Sequence, residues 1–328
     1  MSHPQRALVP RFQWLAARTL ALHACVGLAA CAAPPVEPSG YVVTIRPLAL
    51  VLRSLVGDDV PVHQLLAAGT SPHTFEPRPS DLDRVAKAKA LVWVGQGLDG
   101  WAAELPAPHR IEVLALVPTT LLHAFPASNS RGHEGAGHHA ADDTGHEAGG
   151  EDAHGHHGVD PHFWTDPATV ARTVGPLVQA LCERERNGER CDALRARGVA
   201  LERELDELAR ELEARFAVHR GKRLLLGHPS VHYFLRRVGL EAPLVAEASP
   251  GKELSPRRVV ELAQRARELE VRAVVVQPQQ PERAARLVAE ELRLPVVSFE
   301  VVGTTDSSAA TLAHDLRRSS QLLEDALR

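Results

Sequence analysis

The stretch that most restricts the fold runs from residue 192 to 216. Leu194, Leu201, Leu205, Leu208 and Leu212 recur there at helical intervals, with Glu/Arg pairs on the opposite face. That period is a helix's and not a strand's. At ~1.5 Å of rise per residue the helix spans about 35–40 Å, the width of a domain. It reads as a backbone joining two lobes, because short apolar runs alternate with helical segments on either side of it.

Before it come a strand at 41–45, a helix at 47–56 ended by Gly57, an apolar run at 60–66 leading to a turn at Gly69, and a helix from Ser80 to about Lys89. A buried strand at 91–94, another at 111–117 and a helix at 167–184 complete that side. After it come a strand at 224–226, helices at 231–238 and 256–269, a strand at 273–276, a helix at 281–292, a strand at 296–302 and a closing helix from about 308. The alternation predicts an α/β protein: two α/β lobes with mostly parallel sheets. The expected divisions are an N-terminal lobe at 41–190, the linking helix at 191–217 and a C-terminal lobe at 218–328. With 328 residues, 44% of them hydrophobic and 24% charged, the chain suits a soluble globular protein of one or two domains. Its formal net charge of -4 gives no support for nucleic-acid binding.

The first thirty residues carry Arg6, Arg11 and Arg18 and no acid, then an apolar stretch at 19–30. That stretch is too short to span a bilayer, which takes ~20 residues, and reads as an export signal at 1–30. Its end, Leu28-Ala29-Ala30-Cys31, resembles the lipobox of bacterial lipoproteins, which implies a lipidated Cys31 as the first mature residue. Residues 31–40, with three prolines, would be a tether. An exported chain permits a disulfide between Cys182 and Cys191, with two unpaired thiols as the alternative. Neither has the CxxC neighbour expected of a zinc site.

Between residues 131 and 158 lie seven histidines among glycines and acids. Nothing there can form a core, so a disordered loop is expected at 128–158. It runs into Asp160-Pro161-His162-Phe163-Trp164-Thr165-Asp166-Pro167, where a capping residue and a proline open a helix. His162 is thus held rigidly just after a flexible tract. His73 follows the run at 60–66, His228 follows the strand at 224–226, and Asp306 follows the run at 296–302. Ligands of open α/β sheets bind outside the carboxyl ends of the strands. Two lobes facing each other would bring these four side chains to one cleft, and three imidazoles with a carboxylate suit Zn²⁺. The spacings carry no local signature, so the inference depends on placement at strand ends.

Four motifs resemble those of the zinc/manganese-binding receptors of bacterial ABC importers. They are Ser-Pro-His-Thr-Phe-Glu-Pro-Arg-Pro-Ser-Asp at 71–81, the motif at 160–167, Gly-His-Pro-Ser-Val-His-Tyr-Phe-Leu-Arg-Arg-Val-Gly-Leu at 227–240, and Val-Gly-Thr-Thr-Asp at 302–306. The similarity runs from Val42 to the end. It implies two α/β lobes joined by one long rigid helix, with the metal between them and His73, His162 and His228 as ligands. In manganese-type members the third position is often a carboxylate, so His228 argues for zinc as the transported ligand over Mn²⁺. The histidine tract is typical of zinc members too. The family commonly shows a pattern such as Leu-Asp-Pro-Leu-Gly where this chain has Gly-Thr-Thr-Asp-Ser, and Pro72 stands where some zinc members carry a glutamate. The fourth ligand is therefore Asp306 or a water.

The resemblance further implies an extracytoplasmic zinc-binding receptor that is not an enzyme. It would act as a monomer, held at the membrane surface through Cys31, and deliver Zn²⁺ to an ABC permease. No Walker A motif is present, so the ATPase would be another chain. The alternatives are a periplasmic zinc buffer or chaperone, a manganese receptor and an exported zinc hydrolase, although no motif supplies the general base a hydrolase needs. His63, His109, His123 and His219 read as surface or turn residues, and His232 as a candidate partner behind a ligand. Trp93 and Trp164 read as core or cleft wall, and Glu247 as a solvated loop residue.

Overall fold

The first four strands, β1 (Tyr41–Val43), β2 (Val62–Gln64), β3 (Ala90–Trp93) and β4 (Arg110–Glu112), form one sheet in the order β2-β1-β3-β4. Every pair is parallel. The inner strands β1 and β3 are buried at every residue, as apolar runs covered on both faces must be. In this computed structural model the residues described are 40–125, 158–185, 187–246, 254–303 and 311–328. Helices α1 (Arg46–Val56) and α2 (Pro79–Ala86) connect the strands. Pro47 sits in the first turn of α1, where a missing N–H leaves no bond unmade. Gly57 ends α1 at φ 77°, a region that favours glycine, and donates its N–H to Arg53 O.

Helices α3 (Pro167–Cys182) and α4 (Gly188–Phe216) follow, packed along each other. α4 has 29 residues, so it is ~44 Å long. Its buried stripe, Leu194, Leu201, Leu205, Leu208 and Leu212, is the one expected, extended at its ends by Cys191 and Phe216. It begins at Gly188 and not at 192, because the Asn187 side chain accepts from the Glu189 N–H. Asn187 is the helix's N-cap. Gly198 lets α3 approach closely, since a Cβ there would lie 3.0 Å from Val178 Cγ2. Cys182 and Cys191 form a disulfide between the end of α3 and the first turn of α4.

The second sheet repeats the first. Strands β5 (Arg223–Leu226), β6 (Glu241–Val245), β7 (Ala273–Val276) and β8 (Val296–Ser298) lie in the order β6-β5-β7-β8, all parallel. Helices α5 (His232–Val238), α6 (Pro256–Glu268), α7 (Arg283–Leu292) and α8 (Leu312–Leu327) pack around it. One hydrophobic cluster is continuous across both sheets and α4, from Val43, Leu52 and Leu91 through Leu205 to Leu226 and Leu323. A smaller one lies under α6 and α7, around Val274, Val276, Ala266 and Val288. α4 touches α1 on the side of the first sheet, and α5 and α8 on that of the second.

Three departures from the expected elements have local causes. The run at 111–117 is a strand only to Glu112, after which the chain closes into a 3₁₀ turn, Leu114–Leu116. The run at 296–302 leaves the sheet after Ser298. β6 was not expected, because Glu241 and Pro243 disguise it, and it lies at the sheet's edge, where a proline is tolerated. Among the described residues no helix is long and apolar enough to cross a membrane. The export signal, Cys31, nearly all of the tether and the histidine tract, Glu247 and Asp306 lie outside the described residues.

Candidate metal centre

In each sheet the strand order reverses between two neighbours, β1 and β3 in the first and β5 and β7 in the second. At such a switch point the connections leave in opposite directions and open a crevice beyond the carboxyl ends. His228 stands two residues past β5. His73 follows β2 in a 3₁₀ turn, Pro72–Thr74, and His162 opens another, Phe163–Thr165. The three rings converge, with centroids 5.9 Å apart for His73 and His162, 5.4 Å for His73 and His228, and 5.3 Å for His162 and His228. One ring nitrogen of each lies within 4.8 Å of the others. Zinc at ~2.05 Å from each nitrogen in a tetrahedral shell would set those atoms about 3.3 Å apart, so binding would draw them together by at most about 1.5 Å.

Each histidine is held differently. His162 is 2% exposed, and its Nδ1 lies 2.7 Å from Oδ1 of Asp160, which also accepts the His162 backbone N–H at 2.9 Å. A carboxylate at Nδ1 keeps the ring's proton there and leaves the Nε2 lone pair for a metal. Asp160 is fixed in turn: its carbonyl accepts from Tyr233 Oη at 2.9 Å and its N–H donates to His123 O. His228, 1% exposed, accepts the Ser230 N–H at Nδ1, 3.2 Å away. His73 is half-buried, and its turn is pinned by the bond from Trp101 Nε1 to Pro72 O at 2.9 Å.

The surrounding contacts tie the two sheets together. Trp164 is buried and donates Nε1 to Val301 O at 2.9 Å, which links the His162 turn to the segment after β8. Arg237 on α5 makes a two-pronged contact with Asp166, the N-cap of α3, at 2.9 Å for each nitrogen, and reaches Glu213 on α4 at 3.1 Å. Those hydrogen bonds hold its guanidinium even more firmly protonated than usual. Burial pushes Tyr233 up to about 12, so its hydroxyl stays a donor. The His123 ring packs tilted against Tyr233, with centroids 4.6 Å apart, and burial pushes His123 and His232 below the ordinary imidazole range.

The structure therefore brings together His73, His162 and His228. Trp93 and Trp164 are both core residues. His63 and His109 are exposed, but His219, although in a turn as expected, is buried. Asp160 was visible in the sequence only as part of a motif. Its signal was the spacing, since an Asp two residues before a His can reach that residue's own N–H.

Comparison with known proteins places the chain. Residues 42–326 match the family described as ZnuA, zinc-uptake complex component A, periplasmic, and the chain belongs to that family. The zinc-binding protein AdcA of Streptococcus pyogenes serotype M3 is 24% identical over 251 residues, 76% of this chain and 48% of that protein. The chain thus spans about half the length of that streptococcal relative. The high-affinity zinc uptake system protein ZnuA of Paracoccus denitrificans is 28% identical over 259 residues, 74% of this chain and 76% of that protein. The fold matches the Zn(II)-bound AdcAII E280Q variant of Streptococcus pneumoniae at a TM-score of 0.71 and 19% identity, over 90% of this chain and all of the other.

Proposed function

We propose that this protein is an extracytoplasmic zinc receptor that carries Zn²⁺ between its two sheets and delivers it to an ABC permease driven by a separate ATPase. The reading rests above all on three imidazoles with ligand nitrogens within 4.8 Å of one another, two of them buried and one backed by a buried carboxylate. Three neutral nitrogens favour zinc over manganese, which prefers oxygen. Asp306 or a water completes the shell. The family description and the names of the relatives support the same cargo.

Around this centre, 41–190 and 218–328 serve as lobes and 191–217 as the link. Cys31 carries a lipid anchor that holds the protein at the outer face of a membrane. The histidine tract gathers zinc for the cleft, which remains the tighter site because its three imidazoles are already assembled.

Elemental analysis of the protein purified without added metal or an affinity tag tests the cargo, with one zinc per chain expected. In a chain lacking 128–158, His162→Ala should abolish tight binding. Tight stoichiometric zinc in that variant would overturn the ligand assignment. Mass spectrometry of the native protein tests the anchor, and an unmodified N-terminus elsewhere than Cys31 removes it.

A further inference from the structure

Gln277 is the first residue past β7 and is 2% exposed, yet neither atom of its side-chain amide has a hydrogen-bond partner. Ser230 Oγ, in a residue 3% exposed, has none either. Leaving a buried polar group unpaired destabilises the fold, so two such groups call for something to bind. Both line one cavity with His73 and His162. The strand register explains why. β5 and β7 are neighbours with Leu226 opposite Val275. Continuing that register by two residues sets His228 beside Gln277, at the switch point of the second sheet.

The cavity measures about 20 Å³, and a site needs roughly 10–15 Å³ by such a measure to hold one water. A water bound to a cation donates both protons, so it needs acceptors around it. The amide oxygen of Gln277 and the hydroxyl of Ser230 are acceptors, both uncharged. The flanking Gln280 is already engaged, with its amide 3.4 Å from Ser71 Oγ beside the His73 turn.

We propose that Gln277, seconded by Ser230, is a positioning residue that holds the water completing the metal's shell and so tunes affinity for the ion. The inference rests on the zinc reading above. As a group behind a ligand, it should change affinity on the scale of such partners, about 10- to 100-fold.

The test uses the full chain and three measurements: zinc affinity by competition with a chelator, the visible absorption of the Co²⁺-loaded protein, and the metal-free thermal midpoint. Gln277→Leu should bind zinc about 10- to 100-fold more weakly with an altered cobalt spectrum, while its metal-free midpoint stays level or rises, because an unpaired buried amide has been removed. Ser230→Ala should shift affinity the same way by less. Gln277→Glu, which keeps an acceptor oxygen in place, should bind at least as tightly as the original. Unchanged affinity and spectrum in Gln277→Leu overturn the proposal, and so does a fall in the metal-free midpoint that accounts for the weaker binding. A wild-type chain with no tight zinc site overturns the receptor reading and this inference together, whereas normal wild-type binding with an indifferent Gln277→Leu overturns only the inference.

Discussion

Asp160 Oδ1 lies 2.7 Å from His162 Nδ1, two residues on in the chain, and both side chains are buried. One carboxylate oxygen thus fixes both the backbone and the ring of a proposed ligand residue. Replacing Asp160 with alanine should weaken zinc binding about 10- to 100-fold, the usual effect of losing such a partner. Asp160→Asn should do less, because its amide oxygen can still accept both N–H groups. Chelator competition on the three proteins would show the order; equal affinities would mean that the packing around His162 orients it without Asp160.

The contact of Arg237 with Asp166 and Glu213 joins α5, the cap of α3 and α4. Asp166 is largely buried and Arg237 less than a third exposed, so this pair is screened far less than the surface pairs along α6. Arg237→Ala should lower stability by about 2–3 kcal/mol in urea unfolding. Arg237→Lys should recover little of it, since an ammonium cannot make the two-pronged contact.

His219 is buried at the foot of α4, with Lys222 Nζ 2.9 Å from its Nδ1. Burial first, and then the Lys222 charge, push its pKa down. The fold therefore favours the neutral ring, while the unfolded chain takes up a proton near pH ~6.5. Stability should be level above that pH and decline as the pH falls through it toward the lower folded value. His219→Gln should flatten this part of the profile, read as the urea midpoint at pH 7.5 and at pH 5.

The Cys182–Cys191 bridge spans nine positions. In the chain-entropy account, closing such a loop stabilises the fold by roughly 2.5–3 kcal/mol. The double change to serine should lower stability by about that amount and leave zinc affinity untouched, because Cys182 ends the 16-residue α3, about 24 Å along it from the His162 turn. A loss of affinity would show that α3 transmits its position to His162.

The α/β alternation was legible wherever a strand was buried on both faces. Ala273–Val276 is four apolar residues in a row, and the leucines of α4 announce their period. β6 was not legible: its Pro243 and exposed Glu241 suit an edge that no helix fully covers. The three histidines were legible because each stands in an unusual run just past an apolar segment. Gln277 was not, since a glutamine in Gln-Pro-Gln-Gln-Pro reads as a polar loop until the strand register places it beside His228. The same limit hid Asp160, whose role depends on a ring orientation that no spacing specifies.

The half-buried state of His73 bears on how fast an ion can come and go. His162 and His228 sit in shells of packed side chains, and moving either ring means displacing Trp164, Tyr233 or the end of a central strand. His73 stands on a short surface turn after an edge strand, with its Nε2 covered but the residue partly open to solvent. Of the three bonds proposed to zinc, the one from His73 would lengthen with the least disturbance. The residence time of a zinc ion bound there should therefore be set by how often the bond from Trp101 to Pro72 that pins this turn breaks. A docking partner that pulled on residues 69–75 would then shorten that time without unpacking His162 or His228, the two buried histidines.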